Sequence, residues 1–412
     1  MNNLTLFKDI QLSDVERSRN ILITGIPGVG VSKYLLNLIN QDINAGSPVI
    51  LFDQYGDLCD EIISSSSDEL LQKTAYIDVG NIEFPVGINI FENNDEYGEQ
   101  EVSNLFINLM YDLYDPNRTG IIGPRFEHAV RNAILTISYD ENVSFIELLR
   151  CLTDASYVKN LLPKVKDPVV LNYWNNQIAQ TSDFHKSEVL DYIISKLSIF
   201  VTDKMMRNIL GQTKSTVNFK TLLSDYKVVL FNFRALKKYK DANKVITTLF
   251  MFKLLKELKL NSQAINIYID EAVTWPAVYV SELLTENRRY GITVTLTSNK
   301  INDASPSLKS TLIKTGTLIS FRLYSDDAKF ITPEFHNQNI TIDKLCLLKK
   351  YFAYVKTLED GNVLIKEEPL SFELNTPGEL NQNKIKEFKN NSKQKYGVEV
   401  KLVEENIQSR MK

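Results

Sequence analysis

The sequence predicts an α/β fold, in which a mostly parallel sheet is flanked by helices and interrupted by an inserted all-α domain. Three observations lead to this prediction. Short apolar runs alternate with segments of helical periodicity near the start of the chain and again in its second half. A glycine-rich stretch joins the first apolar run to the first long helix. Between the two sets of strands, apolar residues recur only at three- and four-residue spacing.

Length, charge and cysteine content narrow the class of protein. The 412 residues have room for two or three domains, and the formal net charge of −4 gives no bulk attraction to nucleic acid. Cys59, Cys151 and Cys346 are far apart and odd in number, which favours reduced thiols in a cytosolic protein. No secretory signal is recognisable, and no apolar run approaches the ~20 residues that cross a bilayer. We therefore expect a cytoplasmic protein that reaches a membrane complex only through a partner.

The first part of the chain has the order of a doubly wound sheet. Residues up to Asn20 are predicted to form a polar lead-in. Strands are predicted at 21–23, 48–52 and 75–79, with a helix over 57–71 between the last two. Strands that alternate with helices form parallel sheets, in which ligands bind at the carboxyl ends of the strands.

The middle of the chain is predicted to be helical, and strand signals return after it. The five helices of the insertion are expected at 101–113, 125–137, 144–152, 169–178 and 186–200. Later strands are expected at 227–233, 265–271, 293–297, 315–322 and 351–357, with helices at 243–260 and 379–394. The predicted division is a first core part over 1–95, a helical insertion over 96–225, a second core part over 226–374 and a polar segment over 375–412.

The glycine-rich stretch has the form of a phosphate-binding loop. Its spacing matches G-x-x-x-x-G-K-[ST], with Gly25 first, Gly30 second and Ser32 as the hydroxyl on the magnesium side. Glycines let backbone N–H groups surround an anion, and the following helix adds its positive N-terminal end. The predicted nucleotide-binding residues are Thr24, Gly25, Pro27, Gly28, Val29, Gly30, Val31, Ser32 and Lys33.

One position departs from that pattern. Val31 occupies the lysine position of the loop. Lys33 comes two residues later, roughly 200° around the helix, so it is not expected to reach the same phosphates. The predicted loop therefore lacks its usual point charge.

An apolar strand over 265–269 ends in a pair of acids. Asp270 is predicted to hold Mg²⁺ through water, and Glu271 to orient or deprotonate an attacking water. The alternative is a helix N-cap followed by an acid in the first turn. The glycine loop earlier in the chain favours the functional interpretation.

Three further polar residues are candidate catalytic groups. Asn299 follows the next strand, where an amide side chain could sense the γ-phosphate. Arg289, or its neighbour Arg288, either complements the C-terminal end of a helix or reaches a neighbouring subunit's phosphate. Arg322 is either a phosphate contact or part of a structural salt bridge.

Taken together, these blocks resemble the HerA/FtsK superfamily of RecA-like DNA-pumping ATPases, and within it the conjugative, type IV secretion ATPases related to TraG-type coupling proteins. The resemblance extends from the glycine loop to about Ala328 and covers several independent blocks in the expected order. The blocks are residues 25–32, 49–58, 84–89, 123–127, 208–212, 268–271, 286–291, 319–322 and 327–328.

The resemblance implies a RecA-like P-loop NTPase core that assembles as a hexameric ring of identical subunits around double-stranded DNA. ATP and Mg²⁺ would lie between neighbouring subunits, with an arginine supplied in trans. A membrane-embedded secretion channel is a further implied partner. The family's loop lysine is Val31 here, and its usual glutamine is Asn299. The lysine of such a loop donates hydrogen bonds to the negative charge that develops on the phosphate in the transition state. Its loss costs about 3–4 kcal/mol of transition-state stabilisation, so ATP hydrolysis is expected to be impaired.

Two questions stay open at this stage. Several lysines could contact the phosphate backbone of DNA, and the alternative is that they simply form solvated faces of the protein. These lysines are Lys237, Lys238, Lys240, Lys244, Lys349, Lys350, Lys384, Lys386, Lys389, Lys393 and Lys395. The tail lysines also suit an exposed helix that docks on a partner. The preferred function is an ATP-binding DNA-translocating motor. Its alternatives are a catalytically weak pseudo-ATPase scaffold and a substrate-docking subunit of a secretion or defence complex.

Overall fold

The computed structural model describes residues 3–92, 98–178, 191–261, 263–359, 362–369 and 380–411. The chain divides into two compact units. The sheet unit consists of Met1–Val79, Asn218–Lys238 and Phe250–Lys393. The helical unit consists of Gly80–Val217, Tyr239–Leu249 and Gln394–Lys412.

The predicted α/β class with a mostly parallel sheet is confirmed. The large sheet has nine strands in the order β11-β10-β9-β3-β8-β7-β4-β6-β5, and only its β10 and β11 pairings are antiparallel. The strands are β1 (Leu4–Phe7), β2 (Ile10–Leu12), β3 (Ile21–Thr24), β4 (Val49–Asp53), β5 (Thr74–Asp78), β6 (Val228–Asn232), β7 (Ile265–Ile269), β8 (Ile292–Ser298), β9 (Thr317–Ser320), β10 (Phe352–Glu359) and β11 (Asn362–Pro369).

The register brings the carboxyl ends of the central strands to one edge of the sheet. Thr24, the last residue of β3, lies opposite Ser298 of β8 on one side and Ser320 of β9 on the other. Asp53 ends β4, which pairs with β7, and β7 in turn pairs with β8. This edge is where α/β sheets bind their ligands.

The prediction of a polar lead-in before Asn20 is wrong. Strands β1 and β2 pair as an antiparallel hairpin, and its apolar side chains belong to the core of the sheet unit. The hairpin packs on the helix Val31–Asn44, where the hydroxyl of Tyr34 donates to the carbonyl of Leu6 at 3.0 Å. The ring of Phe7 stacks on Tyr34 with the centroids 5.3 Å apart.

The remaining elements of the sheet unit are helices and 3-10 turns that connect the strands. Its α-helices are Asp14–Arg17, Val31–Asn44, Asp57–Ser65, Asp68–Gln72, Phe219–Asp225, Ala277–Glu286, Pro306–Leu312, Ser325–Ile331 and Ile342–Cys346. Its 3-10 turns are Leu236–Lys238, Ala272–Thr274, Asn287–Tyr290, Ile301–Asp303 and Thr332–Phe335. Strand β11 was not predicted, because half its residues are polar and it pairs only at the edge of the sheet.

The helical unit has a core of its own, centred on aromatic side chains. Phe145 lies 5.5 Å from Phe106 and 5.2 Å from Phe200, measured between ring centroids. Residues 186–190 of the fifth predicted helix lie outside the described residues. The helical segments of this unit are Gly98–Tyr114, Pro124–Ile137, Phe145–Thr153, Ala155–Leu161, Leu162–Lys164, Pro168–Asn172, Tyr173–Ile178, Ile199–Thr202, Lys204–Leu210 and Val400–Arg410.

Two helices continue from one unit into the other along the chain. They are Lys240–Leu260 and Gln382–Tyr396, the latter close to the helix predicted at 379–394, whose residue 379 lies outside the described ranges. Lys389 forms an ion pair with Asp60 within the sheet unit. In the helical unit the guanidinium of Arg410 binds Glu147 at 2.6 Å, so the polar tail is tied into the fold. Among the helices of the described ranges, none combines the length and apolar content that a bilayer crossing requires.

Candidate nucleotide site

The glycine loop is fixed by the two strands beside β3. The amide of Gly25 donates to the carbonyl of Ser298 at 3.3 Å, and the amide of Ile26 donates to the carbonyl of Arg322 at 2.9 Å. A Cβ on Gly25 would lie 2.7 Å from Cβ of Phe321 and 2.8 Å from Cγ2 of Val31. The first position of the loop therefore accepts only glycine.

The second half of the loop has a backbone conformation that leaves amides available to an anion. Gly28 and Gly30 have φ values of 86° and 115°, a conformation that side chains other than glycine rarely adopt. The helix Val31–Asn44 begins directly after Gly30, and its first internal bond is donated by Tyr34. The amides of its first three residues are therefore available to a ligand at the positive end of the helix dipole. Ser32 is exposed on this first turn, and Pro27 and Gly28 are also exposed.

Neither residue near the lysine position brings a positive charge to the loop. Val31 is only 5% exposed and belongs to the hydrophobic core of the sheet unit together with Val29. The ammonium of Lys33 lies 2.5 Å from the carboxylate of Glu61 on the helix Asp57–Ser65. The structure thus points Lys33 away from the loop.

Two buried polar atoms at the strand ends next to the loop have no hydrogen-bond partner among the described residues. They are Oγ1 of Thr24 and Oγ of Ser298, which end the neighbouring strands β3 and β8 and belong to side chains with 0% exposure. Buried polar groups are normally satisfied, so such unpartnered oxygens fit a site for a metal ion, its waters or an anion. Together with the free loop amides and Ser32, these groups fit a magnesium–nucleotide complex.

The acid pair lies at the end of β7, which β8 separates from the strand that leads into the loop. Glu271 has φ 55° and ψ 59°, which turns the chain sharply after the strand. Its amide donates to Oγ1 of Thr297 at 2.9 Å, and its carboxylate accepts the amide of Asn299 at 3.1 Å. The hydroxyl of Thr297 donates in turn to Asp270 at 2.8 Å. The end of β8 and the residue that follows it therefore position both acids.

Burial dominates the ionisation of both acids. It raises the pKa of Asp270 to about 8, and the nearby charges of Asp53 and Glu271 act in the same direction. Burial also raises the pKa of Glu271, while the amide of Asn299 and the ammonium of Lys237 oppose that rise. A divalent cation would favour the ionised forms, because its charge compensates the crowded carboxylates.

The sequence interpretation did not assign a role to the polar segment after β4. Asp53 is fully buried, and its carboxylate accepts the amides of Tyr55, Gly56 and Cys59 at 2.9, 2.6 and 2.8 Å. Burial raises the pKa of Tyr55 to about 12, and the charges of Glu271 and Asp270 act in the same direction. The signal was present in the sequence, as polar residues directly after an apolar strand.

The structure separates the two candidate arginines. Arg322 follows β9, and its carbonyl accepts the amide of Ile26 in the loop. Its buried Nε has no hydrogen-bond partner in the part of the chain that the structure describes. Arg289 is exposed on the turn that precedes β8, whereas the site lies at the opposite end of that strand. Seven residues of extended chain span about 23 Å at roughly 3.3 Å per residue. Arg289 is thus remote from the site of its own chain.

In this mostly parallel sheet a glycine loop follows β3, and an acid pair ends β7 on the other side of β8. This arrangement is that of the RecA-like P-loop NTPase fold. No protein-family model and no curated protein matches the sequence.

Solved structures share the fold over most of the chain. The bacterial conjugative coupling protein TrwB, in its unbound form, is similar with a TM-score of 0.66 at 13% identity, covering 90% of this chain and 88% of that one. TrwB in complex with ADP and Mg²⁺ is similar with a TM-score of 0.64 at 14% identity, covering 90% of this chain and 88% of that one. VirB4 of Thermoanaerobacter pseudethanolicus is similar with a TM-score of 0.63 at 12% identity, covering 87% of this chain and 91% of that one. The resemblance predicted from the sequence is therefore confirmed at the level of the fold.

Proposed function

We propose that this chain is the ATP-binding subunit of a DNA-translocating motor of the conjugative, type IV secretion kind. The observation that carries the proposal is the loop of free amides at the start of the helix Val31–Asn44, faced by Asp270 and Glu271. The solved TrwB complex with ADP and Mg²⁺ supports the choice of ligand, because that protein shares this fold.

Each group has a defined task in this proposal. The amides from Gly28 to Lys33 hold the phosphates, while Ser32 and Asp270 hold Mg²⁺, which supplies charge compensation when bound. Glu271 orients the attacking water, and it is held for this task by the amide of Asn299 at 3.1 Å. Arg322, on the other side of the loop, has a buried Nε without a partner among the described residues, which suits a contact to a phosphate oxygen.

Val31 favours a second candidate function. Its buried side chain gives no cation to the developing phosphate charge, and the expected penalty is on the order of 10²–10³ in rate. A pseudo-ATPase that binds nucleotide in order to scaffold a secretion or defence complex would keep the loop amides and tolerate this change. Glu271 favours residual turnover, because a site without chemistry has no use for a water-positioning acid.

The quaternary proposal rests on the exposed arginine. Arg289 is far from its own site, and in a homo-oligomeric ring, of which a hexamer is the form we propose, it would complete the site of a neighbour. Exposed lysines would contact double-stranded DNA without regard to sequence, and candidates in the sheet unit are Lys237, Lys238, Lys349 and Lys350. A membrane-embedded secretion channel is the proposed partner of a cytoplasmic ring.

Binding and turnover of MgATP test the proposal. We expect calorimetric binding of MgATP and a turnover, stimulated by double-stranded DNA, that exceeds the rate of a Glu271→Gln control. A wild-type rate equal to that control, with binding retained, selects the scaffold. DNA retention should fall steeply as salt rises. A docking subunit that never binds DNA would show no salt-dependent retention.

Mixed oligomers test the role of Arg289. Glu271→Gln and Arg289→Ala chains should each be inactive alone, since each lacks one half of a site. A mixture of the two should recover part of the turnover, because some interfaces then pair an intact Glu271 with an intact Arg289. No recovery in an assembled mixed ring would contradict action in trans.

A further inference from the structure

Tyr351 is held against the phosphate loop in a backbone conformation that tyrosine rarely adopts. Its amide donates to the carbonyl of Val29 at 3.2 Å, so it is tied to the loop although more than 300 residues separate them in the sequence. Its φ is 67°, in the left-handed region, which for a bulky side chain is a true outlier. Such conformations persist where surrounding structure enforces them, and they concentrate at ligand sites.

The surrounding structure enforces this conformation from both sides. The amide of Phe352, the first residue of β10, donates to the carbonyl of Lys349 at 3.2 Å and closes a tight turn around Tyr351. Strand β10 then pairs with β9 and β11, which fixes the chain that leaves the turn. Tyr351 is thus presented by a rigid turn at the edge of the loop.

The topology determines which part of a nucleotide would reach Tyr351. The acid pair ends β7, and β8 separates it from the loop after β3. The terminal phosphate must face those acids if Glu271 is to position water, so the sugar and base leave the loop on its other side. That side belongs to β9 and β10, from which Arg322 and Tyr351 contact the loop backbone.

We propose that Tyr351 is the stacking platform for the nucleobase of the bound nucleotide. The inference rests on the proposed nucleotide function and deepens it. The ring is half-buried and, within the described ranges, belongs to no pair of aromatic side chains. The ammonium of Lys350 lies 4.6 Å from the centroid of the ring, and a cation on one face of an aromatic ring leaves the other face to stack.

A stacking platform has a consequence for specificity. Every base offers an aromatic face, so stacking tolerates changes of base, whereas discrimination requires hydrogen bonds to the base edges. Tyr351 therefore predicts that ATP and GTP bind with dissociation constants within about tenfold of each other.

The variant Tyr351→Gly separates stacking from backbone strain. Glycine adopts φ 67° freely, so the fold should keep or raise its unfolding temperature. Loss of the ring should weaken MgATP binding about 10- to 100-fold in calorimetry. Magnesium tripolyphosphate, which has no base, should bind wild type and variant equally. Tyr351→Phe keeps the ring and should bind MgATP like wild type.

The matched control is His336→Gly, which also removes a side chain at positive φ, 49°, but on a different turn. It should leave both affinities unchanged. Equal MgATP affinity of Tyr351→Gly and wild type, or weakened binding in Tyr351→Phe, would overturn the platform. If wild type binds neither MgATP nor tripolyphosphate, the proposed nucleotide function fails first and the platform fails with it. Tripolyphosphate binding by the wild type with no gain from the adenosine moiety would refute the platform alone.

Discussion

The hydroxyl of Thr297 donates to the carboxylate of Asp270 at 2.8 Å and accepts the amide of Glu271 at 2.9 Å. One side chain of β8 thus fixes the carboxylate proposed to hold Mg²⁺ and the backbone of the acid proposed to position water. The bond also favours the ionised form of Asp270, against the burial that raises its pKa. Thr297 is a positioning residue in this arrangement.

We therefore predict that Thr297→Val lowers the affinity of the protein–nucleotide complex for Mg²⁺. Valine has the same shape but no hydroxyl, so the affinity for Mg²⁺ in the presence of nucleotide should fall about tenfold. The matched control is Thr293→Val, which removes a bond of 2.7 Å to Asn266 between the same two strands at their far end. Both variants should lose about 1 kcal/mol of stability, and only the first should change the Mg²⁺ titration. Equal titrations would assign Thr297 a purely structural role.

Val31→Lys should raise ATP turnover. The valine lies buried over Gly25, and a lysine stem there would carry its ammonium to the phosphates. If the remaining groups are competent, the rate should rise about 10²–10³-fold, while the stability falls by about 1–2 kcal/mol through lost burial. Steady-state turnover at saturating MgATP measures the gain.

Two controls sharpen this experiment. Val31→Met adds length without charge and should leave turnover unchanged. The double variant Val31→Lys, Glu271→Gln should lose whatever the lysine gains, because water positioning is then absent. A folded Val31→Lys protein without higher turnover would locate the defect elsewhere in the site.

Removing one partner of the buried ion pair between Arg17 and Asp42 should lower the stability of the fold strongly. Arg17 and Asp42 are each 4% exposed, with Nη1 of the arginine 2.6 Å from Oδ1 of the aspartate. The hydroxyl of Tyr268 donates to the same carboxylate at 2.6 Å. Asp42→Asn leaves the guanidinium without its counter-charge and should cost about 3–5 kcal/mol in urea unfolding.

Two further variants are compared with Asp42→Asn in the same unfolding experiment. One replaces the buried ion pair by two apolar residues, and the other breaks an exposed ion pair. Arg17→Met with Asp42→Leu should cost less than Asp42→Asn alone, because no buried charge remains unpaired. Glu69→Gln breaks an exposed bridge to Lys73 and should leave the urea unfolding midpoint unchanged, because solvent screens this pair. An Asp42→Asn variant as stable as Glu69→Gln would contradict the electrostatic argument.

The sequence predicted the elements whose signals are local. The loop after β3 and the acids after β7 are short patterns, and the strand–helix alternation determines that both lie at one edge of the sheet. The hairpin of β1 and β2 was missed because its apolar residues are divided by polar ones, and its burial depends on contacts with the helix Val31–Asn44. Those contacts are set by tertiary structure.

The missed parts of the candidate site have a common physical cause. Asp53 and the segment that follows it lie at the same edge as the acid pair because β4 pairs with β7, and strand order is not encoded in any local pattern. Tyr351 meets Val29 through a turn with positive φ, and tyrosine does not reveal that conformation in a sequence. The sequence left two roles open for Arg289, a helix-end charge or a contact to a neighbouring subunit's phosphate, and its distance from the site of its own chain depends on the direction of β8.

The final prediction concerns the pH dependence of stability and rests on a loop in the helical unit. Asp115 accepts bonds from the amide and hydroxyl of Thr119, at 2.6 and 2.8 Å, and from the amides of Gly120 and Ile122. Burial opposes ionisation, but these bonds outweigh it and lower the pKa to about 2. The stabilisation is complete above the unfolded pKa of about 3.9 and is lost as the pH falls toward 2. Asp115→Asn should therefore unfold at a lower temperature than wild type at pH 6, and the gap should close between about pH 4 and pH 2. A gap that stays constant over this range would show that the charge of Asp115 contributes nothing.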